Sequence, residues 1–433
     1  MATQTIGRRG FLKLSGMAGA AAGAGMAGWR RLGPVEAQAT QDEWIATCCN
    51  MCGGTTGMFA RVYNGRVIKI QPNSFNPVGV CNISTDYDNL KSTGDAAGLH
   101  GEAARMCPKG NAGIMTQYDP DRVKKPLKRR PGSVRGAGVW DEIPYETAVT
   151  EIAAALAAIK AASGPEKVVW FTEDNTAVPI QQSFCNVFGT PNFLQHSNLC
   201  DVARKFGFEK TLGFHRPLAD FKNTKYMLIF GWNPLSATKW AHLPRILLDG
   251  LANGAKLVVV DPRCTETAHK ALQYGGRWLA IKPGTDGALA LALANVIIGE
   301  KLYDATFVAN WTVGFTEFAA LVPTKTPEWA APITGISATT IRTVARELAT
   351  TKPAVVDAWS GPGQHMNGAE GSRAIAALAG LIGQVDKPGT LVLPGRKGPA
   401  FTVPAAPSPL PARVDRQNST QYPFAHSSGV YVE

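Results

Sequence analysis

The sequence predicts an α/β protein in which a small Cys-rich β-hairpin segment precedes Rossmann-like domains built on parallel sheet. Three observations carry that prediction. Near-continuous apolar runs such as Tyr226-Met227-Leu228-Ile229-Phe230 and Lys256-Leu257-Val258-Val259-Val260 follow helical stretches, the pattern of strands covered on both faces. Residues 40–113 lack long helical periodicity and are rich in Cys, Gly and Asn. The 433 residues are 45% hydrophobic and 18% charged, enough to bury more than one core and too apolar for global disorder.

In chain order, residues 1–39 read as an export leader. Arg8-Arg9 is followed by Phe11-Leu12, a weakly apolar Gly/Ala run and the small-x-small site Ala37-Gln38-Ala39, which resembles a twin-arginine signal peptide and implies periplasmic export. The glycines make the run too short and polar to span a bilayer, and no other stretch of 18 uninterrupted apolar residues occurs. Removing the leader's five basic residues and one acid lowers the net charge from +11 to +7, which implies no nucleic-acid partner. Export of an already folded chain favours reading its eight cysteines as ligands at least as readily as disulfides.

Residues 57–63 and 66–70 are two β-rich runs joined by Asn64-Gly65, a strong hairpin signal. Around them lie Cys48, Cys49, Cys52, Cys81 and Cys107. Cys49-x2-Cys52 brings two thiolates to one centre from a tight turn, and Cys107-Pro108 is a common closing element of an iron–sulfur site. Spacing alone leaves an iron–sulfur cluster, a tetrahedral zinc and disulfides open.

Beyond this segment, residues 114–395 alternate helices and strands. Residues 146–162 have helical period, and 167–171 read as a buried strand. Gly231-Trp232-Asn233-Pro234 follows one strand and Asp261-Pro262-Arg263 the next. With Lys282-Pro283-Gly284-Thr285-Asp286 they stand at the carboxyl ends of parallel strands, where backbone amides can meet phosphates and an acidic side chain can accept from ribose hydroxyls. Asp286 also reads as an N-cap for the helix that follows. A Gly189-Thr190-Pro191-Asn192 loop leads past His196 to Cys200, placed to start a helical run over 201–211, where the dipole favours thiolate. Cys185 and Cys264 read as core or strand-end residues. Residues 122–135 carry seven basic side chains without interleaved aromatics, a structural or anion-facing loop. Residues 396–433 are Pro-rich and lack periodicity, an extended tail.

The cysteine segment, Met106-Cys107-Pro108-Lys109-Gly110, the Tyr118 to Arg122 and Pro126 to Arg129 stretches, and the strand-end motifs resemble, in this order, the molybdopterin oxidoreductases of the dimethyl-sulfoxide-reductase family, over residues 44 to 395 or so. The resemblance implies a [4Fe–4S] cluster on Cys49, Cys52, Cys81 and Cys107, with Cys48 as the alternative to Cys81 because Thr56 stands where the family usually has a third cysteine. It implies that Lys109 lies on the electron path. It further implies a bis-molybdopterin guanine dinucleotide carrying molybdenum or tungsten, with Asp261 at ribose, Asp286 at the guanine edge, and Gly231, Asn233, Arg263, Gly284 and Thr285 at phosphate and neighbouring groups. Cys200 matches the protein ligand to molybdenum, as in the polysulfide, thiosulfate, tetrathionate and arsenate reductase branch. His196 then lines the substrate funnel or caps its loop. The implied function is two-electron transfer between a small sulfur or oxyanion substrate and a partner, through an iron–sulfur electron-transfer subunit and a membrane anchor. No carboxyl-terminal barrel follows Pro394, which leaves two alternatives: a cofactor-binding fragment or half of a split enzyme, completed by a second chain, and a zinc module on an inert α/β scaffold.

Overall fold

The structure is a computed structural model and describes residues 42–49, 51, 56–73, 106–173, 177–196, 200–236 and 243–393. The leader, the Pro-rich tail, Cys52 and Cys81 lie outside the described residues.

Strands β1 (Asp42–Cys48), β2 (Gly57–Tyr63) and β3 (Arg66–Pro72) form an antiparallel sheet in that order. The β2–β3 turn is the expected hairpin: Asn64 and Gly65 both take positive φ, 48° and 72°, the twist that a two-residue connection requires. Two short helices follow: α1 (Pro108–Asn111) packs on α2 (Gly113–Gln117), and α2 packs on β3. The basic loop carries β4 (Leu127–Arg129), paired with β5 (Trp140–Glu142). Three of its seven cations pair with neighbouring acids: Lys125 with Glu142, Lys128 with Glu151 and Arg130 with Asp141, at 2.7–2.9 Å.

Helix α3 (Tyr145–Ser163) is followed by a small parallel pair, β6 (Trp170–Thr172) and β7 (Phe193–Gln195), flanking α4 (Val178–Phe188). The expectation of a buried strand over 167–171 is corrected here. Pro165–Lys167 forms a 3-10 turn, the strand starts only at Trp170, and Phe171 is 76% exposed. An apolar run gives no information about which face is covered, and two three-residue strands cover little.

The main core follows α5 (Val202–Leu212) and the short β8 (Leu218–Ala219). Strands β9 (Tyr226–Phe230), β10 (Lys256–Val260) and β11 (Arg277–Leu279) alternate with α6 (Leu243–Ala252) and α7 (Glu266–Gln273). Then come α8 (Asp286–Gly299), α9 (Ala305–Trp311), α10 (Phe315–Leu321), α11 (Pro327–Thr334) and α12 (Ala338–Thr350), before the chain returns as β12 (Ala354–Ala358). Helices α13 (Ser360–Gly363) and α14 (Gly368–Leu381) and strand β13 (Leu391–Val392), paired with β8, complete the order.

The four parallel strands stand in the order β11-β10-β9-β12. The chain steps outward from β9 to β11 and then returns to the other side of β9, so right-handed crossovers place helices on both faces. All five residues of β9 are fully buried, as are those of β10 after Lys256. At the amino edge Glu347 of α12 ties the strands together, accepting from Lys256 at 2.6 Å, Arg277 at 3.1 Å and the Tyr226 hydroxyl at 3.1 Å. The carboxyl edge is left to loops, and it has its topological switch between β9 and β12.

Candidate active site at the carboxyl edge of the parallel sheet

The loops after β9, β10, β11 and β12 meet at this edge, so the three strand-end motifs of the sequence are brought together. At the switch point main chain touches main chain. Gly231 has φ +51°, and a Cβ there would stand 2.5 Å from Pro362 Cδ and 2.8 Å from Gly361 Cα. The Gly361 N–H donates to the Gly231 carbonyl at 3.2 Å, and the Gly231 N–H donates to the Val260 carbonyl at 2.8 Å. Glycine is required here by both conformation and space.

Each neighbouring loop is braced by its own motif. Asn233 Oδ1 accepts from the Thr267 hydroxyl at 2.6 Å, and its amide donates to Glu266 at 2.6 Å, fastening the β9 loop to the start of α7. Asp261 folds over the turn, accepting from the Arg263 N–H at 2.8 Å, while the Arg263 side chain is exposed. Gly284 has φ +77°, with the His365 ring 3.3 Å from where a Cβ would lie, and its carbonyl accepts from Asn367 at 3.0 Å. The β11 loop is thereby held against the loop after β12.

The expected cap is corrected: Thr285 is the N-cap of α8 by backbone position, its hydroxyl donating to the Lys282 carbonyl at 2.6 Å, and Asp286 is the first helical residue. Asp286 is 7% exposed. Burial pushes its carboxyl up to about 6, and the Asp261 charge adds to this, while its own backbone N–H and His365 act in the opposite direction. A carboxyl raised above its ordinary value of 3.8 contributes most when protonated, so stability is lost as pH rises from about 4 through about 6. Asp286→Asn is expected to remove that dependence and to make the ligand-free chain more stable at pH 8 by about 3 kcal/mol. Urea melts of both proteins across this range measure it, and parallel pH curves would contradict it.

Cys200 stands one residue before Asp201, the backbone N-cap of α5, as the sequence predicts. Its carbonyl accepts a hydrogen bond from the Gln364 side chain, and a Cβ on Gly363 would lie 3.1 Å from Arg204 N. The thiol segment therefore joins the β12 loop at the switch point. Behind it lies a buried charge cluster that the motifs do not reveal. Asp201 (3% exposed) pairs with Lys205 (4%) at 2.7 Å and with Arg204 (1%) at 3.4 Å. Burial raises the Asp201 carboxyl, but the bond and charge of Lys205, with Arg204 and Arg216, hold it below its usual value. Burial lowers Lys205, and Arg216 lowers it further, against Asp201 and Cys200. One carboxylate thus faces three cations beside the thiol, and Arg204 Nε and Arg216 Nε are buried without a hydrogen-bond partner among the described residues. Asp201-x2-Arg204-Lys205 looks like a solvated helical ion pair in sequence; the packing of α14 and of the β12 loop over α5 buries it. The signal for Asp357, fully buried in β12 and pushed up to about 7 by burial, is a charge inside an otherwise apolar strand. His365 and Asn367 carried none.

His196 lies apart on the β7 end of the small sheet, its ring 3.4 Å from Glu173. In the cysteine segment every residue of β1 is exposed, Cys48 included, and burial begins just past its end at Cys49, which is 8% exposed. The Cys49 N–H donates to the carbonyl of buried Thr56 at 2.8 Å. Cys49 Sγ lies 3.6 Å from where a Cβ on Gly110 would stand, so it faces the turn that Cys107 opens, and Lys109 is exposed on that turn. No group of three His, Cys, Asp or Glu with metal-binding geometry occurs among the described residues. Cys185 is buried and its thiol is pushed up by burial, whereas Cys264 is exposed.

Known proteins share this chain's sequence and architecture. The profile of the molybdopterin oxidoreductase family matches residues 122–396. The thiosulfate reductase molybdopterin-containing subunit PhsA of Salmonella typhimurium is 31% identical over 393 residues, covering 89% of this chain and 47% of its own. The arsenate respiratory reductase subunit ArrA of a Shewanella species is 29% identical over 391 residues, covering 82% and 42%. The solved structure of acetylene hydratase from Pelobacter acetylenicus superposes with a TM-score of 0.62 at 30% identity, over 78% of this chain and 43% of that one. This chain spans less than half the length of these relatives. The family profile covers well over half of the chain, and the parallel-sheet architecture agrees with that of a solved relative, so the chain belongs to the molybdopterin oxidoreductases of the dimethyl-sulfoxide-reductase family.

Proposed function

We propose that the chain is the cofactor-binding portion of an exported molybdenum oxidoreductase that exchanges two electrons between a small sulfur or oxyanion substrate and a redox partner. The observation that carries this reading is Cys200, at the switch point of a parallel sheet, backed by three buried or part-buried cations on a single carboxylate. Excess positive charge at the crevice attracts anions, and a soft sulfur donor suits a metal already held by sulfur. The residues present fit a molybdenum–pterin group: the glycine contact at Gly231 brings the loops together, and in this reading Asp261 and Asp286, on those loops, accept from hydroxyl and base-edge donors. When bound, that group supplies the two-electron chemistry. The chain's own part is to orient it, through Cys200 on one side and the strand-end loops on the other, and to balance negative charge with Arg204, Lys205 and Arg216.

Cys49 and the Cys107 turn fit an iron–sulfur cluster, which would pass electrons singly to an electron-transfer subunit with a membrane anchor. Cys52 and Cys81 complete the ligand set in this reading. The Arg8-Arg9 leader supports delivery to the periplasm. A second reading, that turnover needs a complementing polypeptide, is favoured by the exposure of the β6 face, with Phe171 76% exposed and Val169 just before the strand 48%.

Metal analysis of protein exported through its own leader tests the proposal. Molybdenum together with about four irons per chain is expected. Zinc alone, or iron without molybdenum and pterin, would overturn it.

A further inference from the structure

The buried charges behind Cys200 also join two elements that are far apart in sequence. Asp357 is 2% exposed in β12, and its Oδ1 accepts the Ala358 N–H at 2.7 Å. Side chains two positions apart in extended chain share a face, so Asp357 faces the same way as Trp359. The Trp359 ring in turn lies against the Arg204 guanidinium, with 4.6 Å from Arg204 Cζ to the ring centroid, and the Phe208 ring is 5.2 Å away on the arginine's own helix. Arg204 also reaches Asp201 at 3.4 Å. Of the charges acting on Asp357, that of Arg204 is the one favouring its ionised form against burial. Close by, Gly363 packs on Arg204 N, and Gln364 holds the Cys200 carbonyl. A buried arginine and a buried carboxylate are each costly unless they serve one another.

We propose that Arg204 is a positioning residue: stacked on Trp359 and facing Asp357, it clamps the start of α5 to the end of β12 and so fixes where the Cys200 thiol stands at the crevice. The functional weight of the clamp rests on the reading of Cys200 as the metal-facing thiol; the clamp itself is a property of this chain. Lysine is no substitute, because it lacks the planar fork that stacks and pairs at once.

The test is the rate of Cys200 alkylation by iodoacetamide in the purified full-length protein, read peptide by peptide by mass spectrometry. Working well above the ordinary thiol range removes thiolate fraction as a variable, and Cys264 and Cys185 are internal references. Arg204→Met, Arg204→Lys and the near-isosteric Asp357→Asn are each expected to speed Cys200 by at least about twofold, what the lower end of coupling within one buried network converts to, with Cys264 unchanged. The double variant Arg204→Met/Asp357→Asn is expected to be non-additive. Leu348→Ala, a fully buried α12 position remote from the clamp, is the control for general loosening and should leave Cys200 at its wild-type rate. Should Arg204→Met fail to fold, Asp357→Asn carries the test alone. An unchanged Cys200 rate in Asp357→Asn, or an equal effect from Leu348→Ala, would overturn the clamp. Whether Cys200 touches metal is read separately, from the metal spectrum of the loaded protein, so the two ideas fail independently.

Discussion

Cys200→Ala is expected to leave the chain folded and loaded with pterin while removing turnover with any acceptor. The thiol is partly exposed and its removal takes away little packing, about 1 kcal/mol as for ordinary substitutions. The structure that holds the segment does not depend on it: Gln364 bonds to the Cys200 carbonyl, which alanine retains, and Asp201 keeps Lys205 and Arg204 in place. The strand-end loops that would grip a dinucleotide are equally untouched. What changes is the soft sulfur donor that the proposed reading offers to the metal. The Mo(V) paramagnetic resonance spectrum of the loaded protein reads that change directly, with pterin content as the control for loading. Identical spectra from wild type and Cys200→Ala would show that this thiol does not touch the metal. Cys185→Ala makes a useful contrast, since its buried thiol lies inside α4 and should affect packing alone.

How much of this was legible in the sequence depended on whether the determining physics was local. Strands β9 and β10 fall at the residues the apolar runs marked, because a strand buried on both faces must be apolar throughout. The hairpin at Asn64-Gly65 was readable because only a few residue types accept positive φ twice in succession. The strand expected at 167–171 failed because local hydrophobicity could not show that no layer covers Phe171 among the described residues. Asp286 was taken for a cap because Asp before Gly-Ala-Leu fits that role; the chain turns one residue earlier, at Thr285, and burial rather than capping sets the carboxyl's character. The charge cluster at Cys200 was illegible for a different reason. Asp201, Arg204 and Lys205 have the spacing of a solvent-facing helix, and what buries them is α14 and the β12 loop, far later in the chain, with Gly207 admitting Ser372 at a contact a Cβ could not share. Long-range packing turned a common surface pattern into a site.

That dependence on close main-chain approach gives Gly231→Ala the largest expected effect on the fold at the site. Two costs add. The positive φ of 51° costs an L-residue about 1 kcal/mol. The Cβ would also lie 2.5 Å from Pro362 Cδ and 2.8 Å from Gly361 Cα, a proline ring and backbone that cannot swing aside as a flexible side chain would. Relief requires the β9 and β12 loops to part, with a further cost of about 1–3 kcal/mol, and the hydrogen bond from Gly361 to the Gly231 carbonyl would lengthen. Gly254→Ala isolates the first cost, since that residue has φ +85° with nothing within 4 Å of an added Cβ. Gly231→Ala should therefore lower the urea midpoint well beyond Gly254→Ala, and it alone should weaken retention of the pterin cofactor, because the parted loops carry the β9 strand end away from the β12 loop that holds the Cys200 carbonyl through Gln364. Equal midpoints for the two variants would mean that the switch point is slack, and that the loops are held together by something other than the contact of their backbones.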